Sequence, residues 1–444
     1  MRSLLVKPAS CLKGEVRLLG DKSIAHRAVI LSAITPDKTI IKNFPNNQDC
    51  FFTIEAFKKL GIKIIPLNKS GSAIAVFGKG LWGLKKSRGP IFLGESGTTF
   101  RLMVGLLAAQ GFSSCLIAAE SLSRRPMLRV IHPLRMMGAV IKAKTKKQKS
   151  KTEEYPPVTI KGSPLKSITY RMPVASAQVK SAILLAGLYA QGSTQIIEPI
   201  KTRDHSERML KLFKAGLKLH QNKIVIKGNQ ELVSPKMIYV PGDISSAGFF
   251  IVLAALLPDC RFGIKNVSLN PSRLGLIKAL KKMGAQIKVI RHRRYTTAQE
   301  PMGDITIKSS QLKGIRVKKQ EIPTLIDELP ILMVAASLAY GRSLFEGIEE
   351  LRVKETDRIR SMSQNLKAMG ARISILRYST RENMEIKGVP SLAGARVKSF
   401  GDHRTAMSMV IAGLLAQSPT FIDDLNCINK SFPDFLALLK KLVR

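Results

Sequence analysis

The chain has 444 residues, 45% of them hydrophobic, and carries 72 Lys and Arg against 31 Asp and Glu, a formal charge of +41. That length exceeds one ordinary core and suits two domains of about 200 residues each, while the apolar content excludes a disordered chain. The positive excess favours anionic partners, yet the basic residues run along the whole sequence and aromatics make up only 6%, which argues against a nucleic-acid binder.

In chain order, the opening MRSLLVKPASCLKGEV lacks the apolar stretch of a signal peptide. A segment then appears that begins with Gly or a small polar residue, adds a charge or amide, and runs on as an Ala-rich apolar helix. It recurs six times: GDKSIAHRAVILSAI from Gly20, GESGTTFRLMVGLLA from Gly94, ASAQVKSAILLAGLYA from Ala175, GDISSAGFFIVLAALL from Gly242, IDELPILMVAASLA from Ile326 and GDHRTAMSMVIAGLLA from Gly401. The starts fall about every 75 residues, the mark of a repeat architecture. Five copies are followed by an amphipathic helix that ends in Gly before a short β-rich run, in FKKLGIKII, LRMMGAVIK, LFKAGLKLH, LKKMGAQIKV and LKAMGARISI. The Gly stands where a helix C-terminus needs positive φ. Each unit therefore reads as strands plus two helices, the first apolar all round and buried, the second half-exposed. Six units make two domains of three, with helices inside and sheets outside.

Between these copies lies the run KAKTKKQKSK, Lys142 to Lys151, which precedes Pro156-Pro157 and reads as an exposed loop or hairpin tip. Apolar runs such as Phe249 to Leu257 are too short to span a bilayer. Cys11, Cys50, Cys115, Cys260 and Cys427 are odd in number, scattered and never in a CxxC pair, which argues against a disulfide framework and a zinc site and fits a reducing cytoplasm. Cys115, in SCLIAA, reads as an inert thiol on a buried strand.

A helix start exposes unpaired N–H groups and a partial positive charge, so small residues leading into a helix form a ready anion site. Several copies add a cation or amide there: Lys22 and Arg27, Arg101, Gln178 and Lys180, His403 and Arg404. One such start can be ordinary capping; six together point to a trap for several anions.

Nine stretches in order, GDKSIAHR, GESGTTFR, SRRPM, ASAQVKSA, TRDHSERM, LIDELP, RVKETDRI, GDHRTAM and KSFPDF, resemble the 5-enolpyruvylshikimate-3-phosphate (EPSP) synthase family, more its second sequence class than its first. The resemblance spans essentially the whole chain. It implies a two-domain inside-out α/β barrel, residues 1–20 and 242–444 forming one domain and 21–241 the other, with the active site in the cleft between. It also implies transfer of the enolpyruvyl group of phosphoenolpyruvate to shikimate 3-phosphate by a monomer without cofactor or metal. By the same resemblance Lys22, Ser23, Arg27, Ser176, Gln178, Arg203, Asp327 and Lys354 hold shikimate 3-phosphate. Phosphoenolpyruvate is held by Lys22, Gly97, Arg125, Gln178, Arg358, Arg404 and Lys430, and Asp327, Glu355 and Lys22 move protons. These types suit the task, since Arg forks and Lys point charges bind carboxylate and phosphate. Plainer readings stand beside them: a surface cation for Arg125, a local pair with Glu355 for Arg358, a helix-start pair with Asp402 for Arg404, and a helix N-cap for Asp327.

Glu95 stands where the family has Asn, placing a negative charge on the loop expected near phosphoenolpyruvate, whereas Gly97 keeps the small residue of forms sensitive to glyphosate. Two rival readings predict other residues. A sister transferase acting on UDP-N-acetylglucosamine calls for a Lys-Asn pair where this chain has Lys22-Ser23. A basic RNA-processing or binding protein, such as an RNA 3'-phosphate cyclase, calls for nucleotide-binding chemistry, and no GxxxxGK[ST] loop occurs.

Overall fold

The structure, a computed structural model, describes residues 3–148, 151–292, 300–378 and 381–443. The chain divides into two compact units, one of Met1–Leu18, Pro241–Tyr295 and Pro301–Arg444, the other of Leu19–Val240 and Thr296–Glu300.

The six expected apolar helices form where the repeat places them. In the Leu19–Val240 unit they are Lys22–Ala33, Gly97–Leu107 and Ala177–Gly187. In the other unit they are Ile244–Leu256, Leu329–Ser337 and His403–Leu414. We call them core helices one to six. Apart from a few residues at their ends, nearly every position is buried, as sequences with no polar face require. Within each unit the three pack on one another. Gly105 marks the tightest approach: a Cβ there would stand 2.2 Å from the Ala182 carbonyl oxygen of core helix three, so no larger residue fits.

Among the described residues, sheets flank these helices, five of four strands and one of three. Each repeats one order. Ile91–Phe92 runs parallel to Ser113–Ile117, which pairs antiparallel with Lys151–Lys161, itself the antiparallel partner of Val140–Gln148. A core helix links the two parallel strands, and an outer helix leads into the hairpin. The exceptions lie where the chain passes between units. Met237–Tyr239, just before core helix four, pairs instead with Asp37–Lys42 of the first repeat. Lys13–Arg17, just before core helix one, pairs with Arg261–Ser268 of the fourth. The sixth sheet takes its outer strand from Leu4–Val6, opposite Thr420–Ile422.

Four of the five expected glycine C-caps hold, with φ of 85° at Gly61, 98° at Gly138, 97° at Gly284 and 91° at Gly370. The fifth does not: helix His205–Leu212 closes two residues early, and Lys214 takes the left-handed position at φ 61° in place of Gly216. As far as it is described, the basic run Lys142 to Lys151 lies on the two legs of a long hairpin, and residues 149–150 lie outside the described residues. Lys144 pairs with Tyr155 and Lys146 with Glu153, and the ammonium of Lys146 lies 5.5 Å from the Tyr155 ring centre. Pro156 and Pro157, unable to donate to the ladder, form the bulge between the pairs Ala143–Val158 and Lys144–Tyr155. Among the described residues no helix is long and apolar enough to cross a membrane.

Candidate active site

In the Leu19–Val240 unit the expected residues gather at the starts of core helices one to three. The Asp21 carboxylate caps the first by accepting from the Ile24 N–H at 3.1 Å. Next to it the Lys22 ammonium reaches Asp49 at 2.7 Å. Asp49 sits in the first turn of helix Gln48–Lys59, which Asn47 caps. The buried Arg27 donates to the Ser206 hydroxyl at 2.6 Å, the Ser181 hydroxyl at 2.8 Å and the Ser23 carbonyl at 2.8 Å. Burial pushes its pKa down to about 10 although Glu207 and Asp21 oppose the shift.

A second group centres on Gly97. A Cβ at Gly97 would lie 2.9 Å from Nη1 of Arg101 and 3.0 Å from Nη1 of Arg125, so both guanidiniums close on this glycine. Arg101 also donates to the Gln178 side-chain oxygen at 2.9 Å, and the Gln178 amide donates to Thr98 at 3.0 Å. The amide plane is thereby fixed from both ends. Ser176 caps core helix three through the Val179 N–H. Arg203 stands half-buried in the turn before helix His205–Leu212. His26 is buried with Nδ1 2.7 Å from the Thr53 hydroxyl, which in turn lies 2.7 Å from that of Thr99. Burial, with Lys22 and Arg27 nearby, holds its pKa well below the ordinary histidine value. Cys115, expected buried, is half-exposed, because it faces away from the side of its strand on which Ser114 and Leu116 are buried.

In the other unit Arg358 is the hub. Its guanidinium is only 1% exposed and bonds Asp402 at 2.8 Å, Asp327 at 3.5 Å and Glu355 at a short contact. Burial works against its charge, but Asp402, Glu355 and Asp327 together hold its pKa above the ordinary arginine value. The local pair with Glu355 therefore exists, although Glu355 lies ahead of the helix, which starts at Arg358 with Asp357 as its cap. Arg404 donates to the Asp327 carbonyl at 2.8 Å, with the Asp327 carboxylate 3.7 Å away. Asp402 caps core helix six through the N–H groups of Arg404 and Thr405, so it engages the backbone of Arg404 and the side chain of Arg358. Asp327 is not a helix cap: Glu328 occupies that position, and no side-chain cap bond forms. Lys430 donates to the Gly401 carbonyl at 3.2 Å, and Lys354 pairs with Glu350 at 3.4 Å.

Sequence reasoning missed several members. Asp49 faces Lys22 across 27 residues with no motif to announce it. Glu328 pairs with the buried Arg273 at 3.3 Å, and both contact Ser245. Neither Arg273 nor Ser245 carries a sequence signal beyond residue type. Glu355, Asp402 and His403 also bring potential ligand atoms within 4.8 Å of one another. The Arg358 guanidinium already lies on both carboxylates, so the chain itself supplies the positive charge such a cluster would take. Chemically, Asp327 and Glu355 are two carboxylates beside Arg358 and Arg404, an arrangement able to hold an acidic substrate and move protons on it.

A family model described as EPSP synthase (3-phosphoshikimate 1-carboxyvinyltransferase) matches residues 6–439. A protein of Pelobacter propionicus named 3-phosphoshikimate 1-carboxyvinyltransferase is 43% identical over 441 residues, 99% of each chain. A protein of Syntrophomonas wolfei with the same name is 46% identical over 432 residues, 97% of each. The solved EPSP synthase of Acinetobacter baumannii superposes with a TM-score of 0.86 at 40% identity, covering 100% of this chain and 98% of that one. That superposition, with buried helices and six sheets repeated on one plan, bears out the inside-out α/β architecture. By the near-complete family match and by full-length relatives above 40% identity, the chain belongs to the EPSP synthase family.

Proposed function

We propose that the chain transfers the enolpyruvyl group of phosphoenolpyruvate to the 5-hydroxyl of shikimate 3-phosphate and releases phosphate. The observation that carries this reading is the grouping of Asp327, Glu355, Arg358 and Arg404 at the starts of core helices five and six and of the helix Arg358–Ala368. The family's description and the names of its full-length relatives support it.

In this reading Asp327 accepts the proton of the 5-hydroxyl, assisted by Lys22, as that oxygen adds to C2 of phosphoenolpyruvate. Glu355 delivers a proton to C3. Loss of phosphate from the tetrahedral intermediate then returns a C3 proton to Glu355. Arg125, Arg358, Arg404 and Lys430, with Lys22, Gly97 and Gln178, take phosphoenolpyruvate. Lys22, Ser23, Arg27, Ser176, Gln178, Arg203, Asp327 and Lys354 take shikimate 3-phosphate. Arg358 is fully committed to carboxylates, so binding the substrate acid requires it to exchange one of them, and Glu355 is the partner that chemistry would release. The domains in this reading are residues 1–20 with 242–444 and residues 21–241. The enzyme acts as a cytoplasmic monomer with no cofactor.

The test is phosphate release from phosphoenolpyruvate, with shikimate 3-phosphate, UDP-N-acetylglucosamine or RNA 3' ends as acceptor. Release with shikimate 3-phosphate alone is expected, and release with either of the others in its place refutes the assignment.

A further inference from the structure

Behind the residues assigned to shikimate 3-phosphate lies a buried ionic cluster that the mechanism does not use. Lys180, on core helix three, is 1% exposed, with its ammonium 2.6 Å from Glu207 and 3.1 Å from Glu198, themselves 5% and 4% exposed. The sequence places Lys180 at the mouth of a helix as one more cation for an anion, but its charge is already committed to two carboxylates. A buried ammonium persists only when paired, and a pair of buried carboxylates needs it equally.

Each carboxylate leads to a different part of the site. Glu198 accepts from the N–H of Thr202 at 3.1 Å and from the Thr202 hydroxyl, so it sets the turn that ends at Arg203. Glu207 follows Ser206, which accepts from Arg27 at 2.6 Å and shares a 2.6 Å hydrogen bond with Ser181, the neighbour of Lys180. Two adjacent residues of core helix three thus grip two adjacent residues of helix His205–Leu212, and Arg27 closes the arrangement from core helix one through Ser181 at 2.8 Å. Lys180, Arg27, Glu198 and Glu207 carry two charges of each sign, so the assembly is neutral as a whole. Gln178 is anchored from elsewhere, by Arg101 and Thr98.

We infer that Lys180 is a positioning residue for the shikimate 3-phosphate subsite, acting through Glu198 on Arg203 and through Glu207 and Ser206 on Arg27. It is not itself an anion ligand. The inference rests on the proposed function, and it separates the two substrates: the arginines around Gly97 do not depend on this cluster.

Lys180→Met in the full chain tests it, by calorimetric titration with shikimate 3-phosphate alone and by steady-state phosphate release with each substrate varied in turn. Affinity for shikimate 3-phosphate should fall about tenfold, while KM for phosphoenolpyruvate stays within twofold. Loss of general structural support would move both constants together, and that result, or an unchanged affinity for shikimate 3-phosphate, overturns the inference. Should Lys180→Met not accumulate as folded protein, Lys180→Met/Glu207→Gln removes opposite charges together and takes its place. The same loss is expected, because Glu198 still lacks its counter-ion, and an unchanged affinity again overturns it. The wild type serves as control for the reading beneath: an inert wild type refutes the proposed function, whereas an active wild type with an unchanged variant refutes only the role of Lys180.

Discussion

Replacing Gly97 by Ala probes how closely the cations are packed where phosphoenolpyruvate is proposed to bind. Gly97 opens core helix two, is not among the glycines of positive φ, and is buried. Helix propensity therefore favours the change by about 0.5–1 kcal/mol. The new methyl, however, would stand 2.9 Å from Nη1 of Arg101, 3.0 Å from Nη1 of Arg125 and 3.4 Å from Cζ of Arg125. The two nitrogens lie about 0.5 Å inside ordinary contact, and as ends of flexible side chains they yield rather than the backbone. Fold stability should thus stay within about 1 kcal/mol of wild type by denaturant titration. The guanidiniums must retreat from the anion. A hydrogen bond to a charged group contributes about 1.5–3 kcal/mol, and losing roughly half of one raises KM for phosphoenolpyruvate about four- to twelvefold, with KM for shikimate 3-phosphate nearly unchanged. Glyphosate inhibition should weaken in parallel. Phosphate-release kinetics read both constants, and an unchanged KM for phosphoenolpyruvate, or equal rises for both substrates, refutes the placement of Gly97 beside that substrate.

Two further outcomes concern the fold. Lys214 is exposed and left-handed at φ 61°, so Lys214→Gly should raise stability by about 0.5–1 kcal/mol, the difference between relieving the steric cost of that conformation and the added freedom of the unfolded chain. Urea titration checks it, and a loss of stability contradicts the closure of helix His205–Leu212 at that residue. His26 is held neutral, its pKa lowered chiefly by burial, so unfolding takes up a proton once pH drops below the 6.5 of free histidine. The sign follows: its contribution is intact above that value and is lost as pH falls. Between pH 7.5 and 5.5 this amounts to about 1.4 kcal/mol, and His26→Asn, which keeps an acceptor or donor near Thr53, should lose that much less over the same interval. An equal pH dependence in both proteins refutes the assignment.

The core helices were legible because a helix buried on every side has to be apolar on every side, and a small or acidic residue has to precede it. GDKSIAHR and GDHRTAM therefore announce both an element and a helix-start site. Glycine C-caps were legible for the same reason, and LFKAG misled because a lysine can adopt the left-handed conformation when its side chain projects into solvent. Contacts between distant residues left no such trace. Nothing about Asp49 marks it as the partner of Lys22, and Arg273 met Glu328 only through the folding of core helices four and five. Lys180 was legible as a residue but not as a role: its type suggests an anion ligand, and only Glu198 and Glu207 closing around it reveal a counter-ion. The Lys142 to Lys151 run carries no alternation of apolar and polar residues, so its strand character emerged only from cross-strand pairs with Glu153 and Tyr155.

The pairing of Leu4 with Ile422 and of Lys13 with Arg261 sets an order of events during synthesis. Residues 19–240 hold every strand of their own three sheets, including Met237–Tyr239, and can close while the ribosome is still at work. Two earlier strands must wait, Lys13–Arg17 for the fourth repeat and Leu4–Val6 for Thr420–Ile422 of the sixth. Until then both strands lie unpaired, and their open edges are where nascent or truncated chains will aggregate.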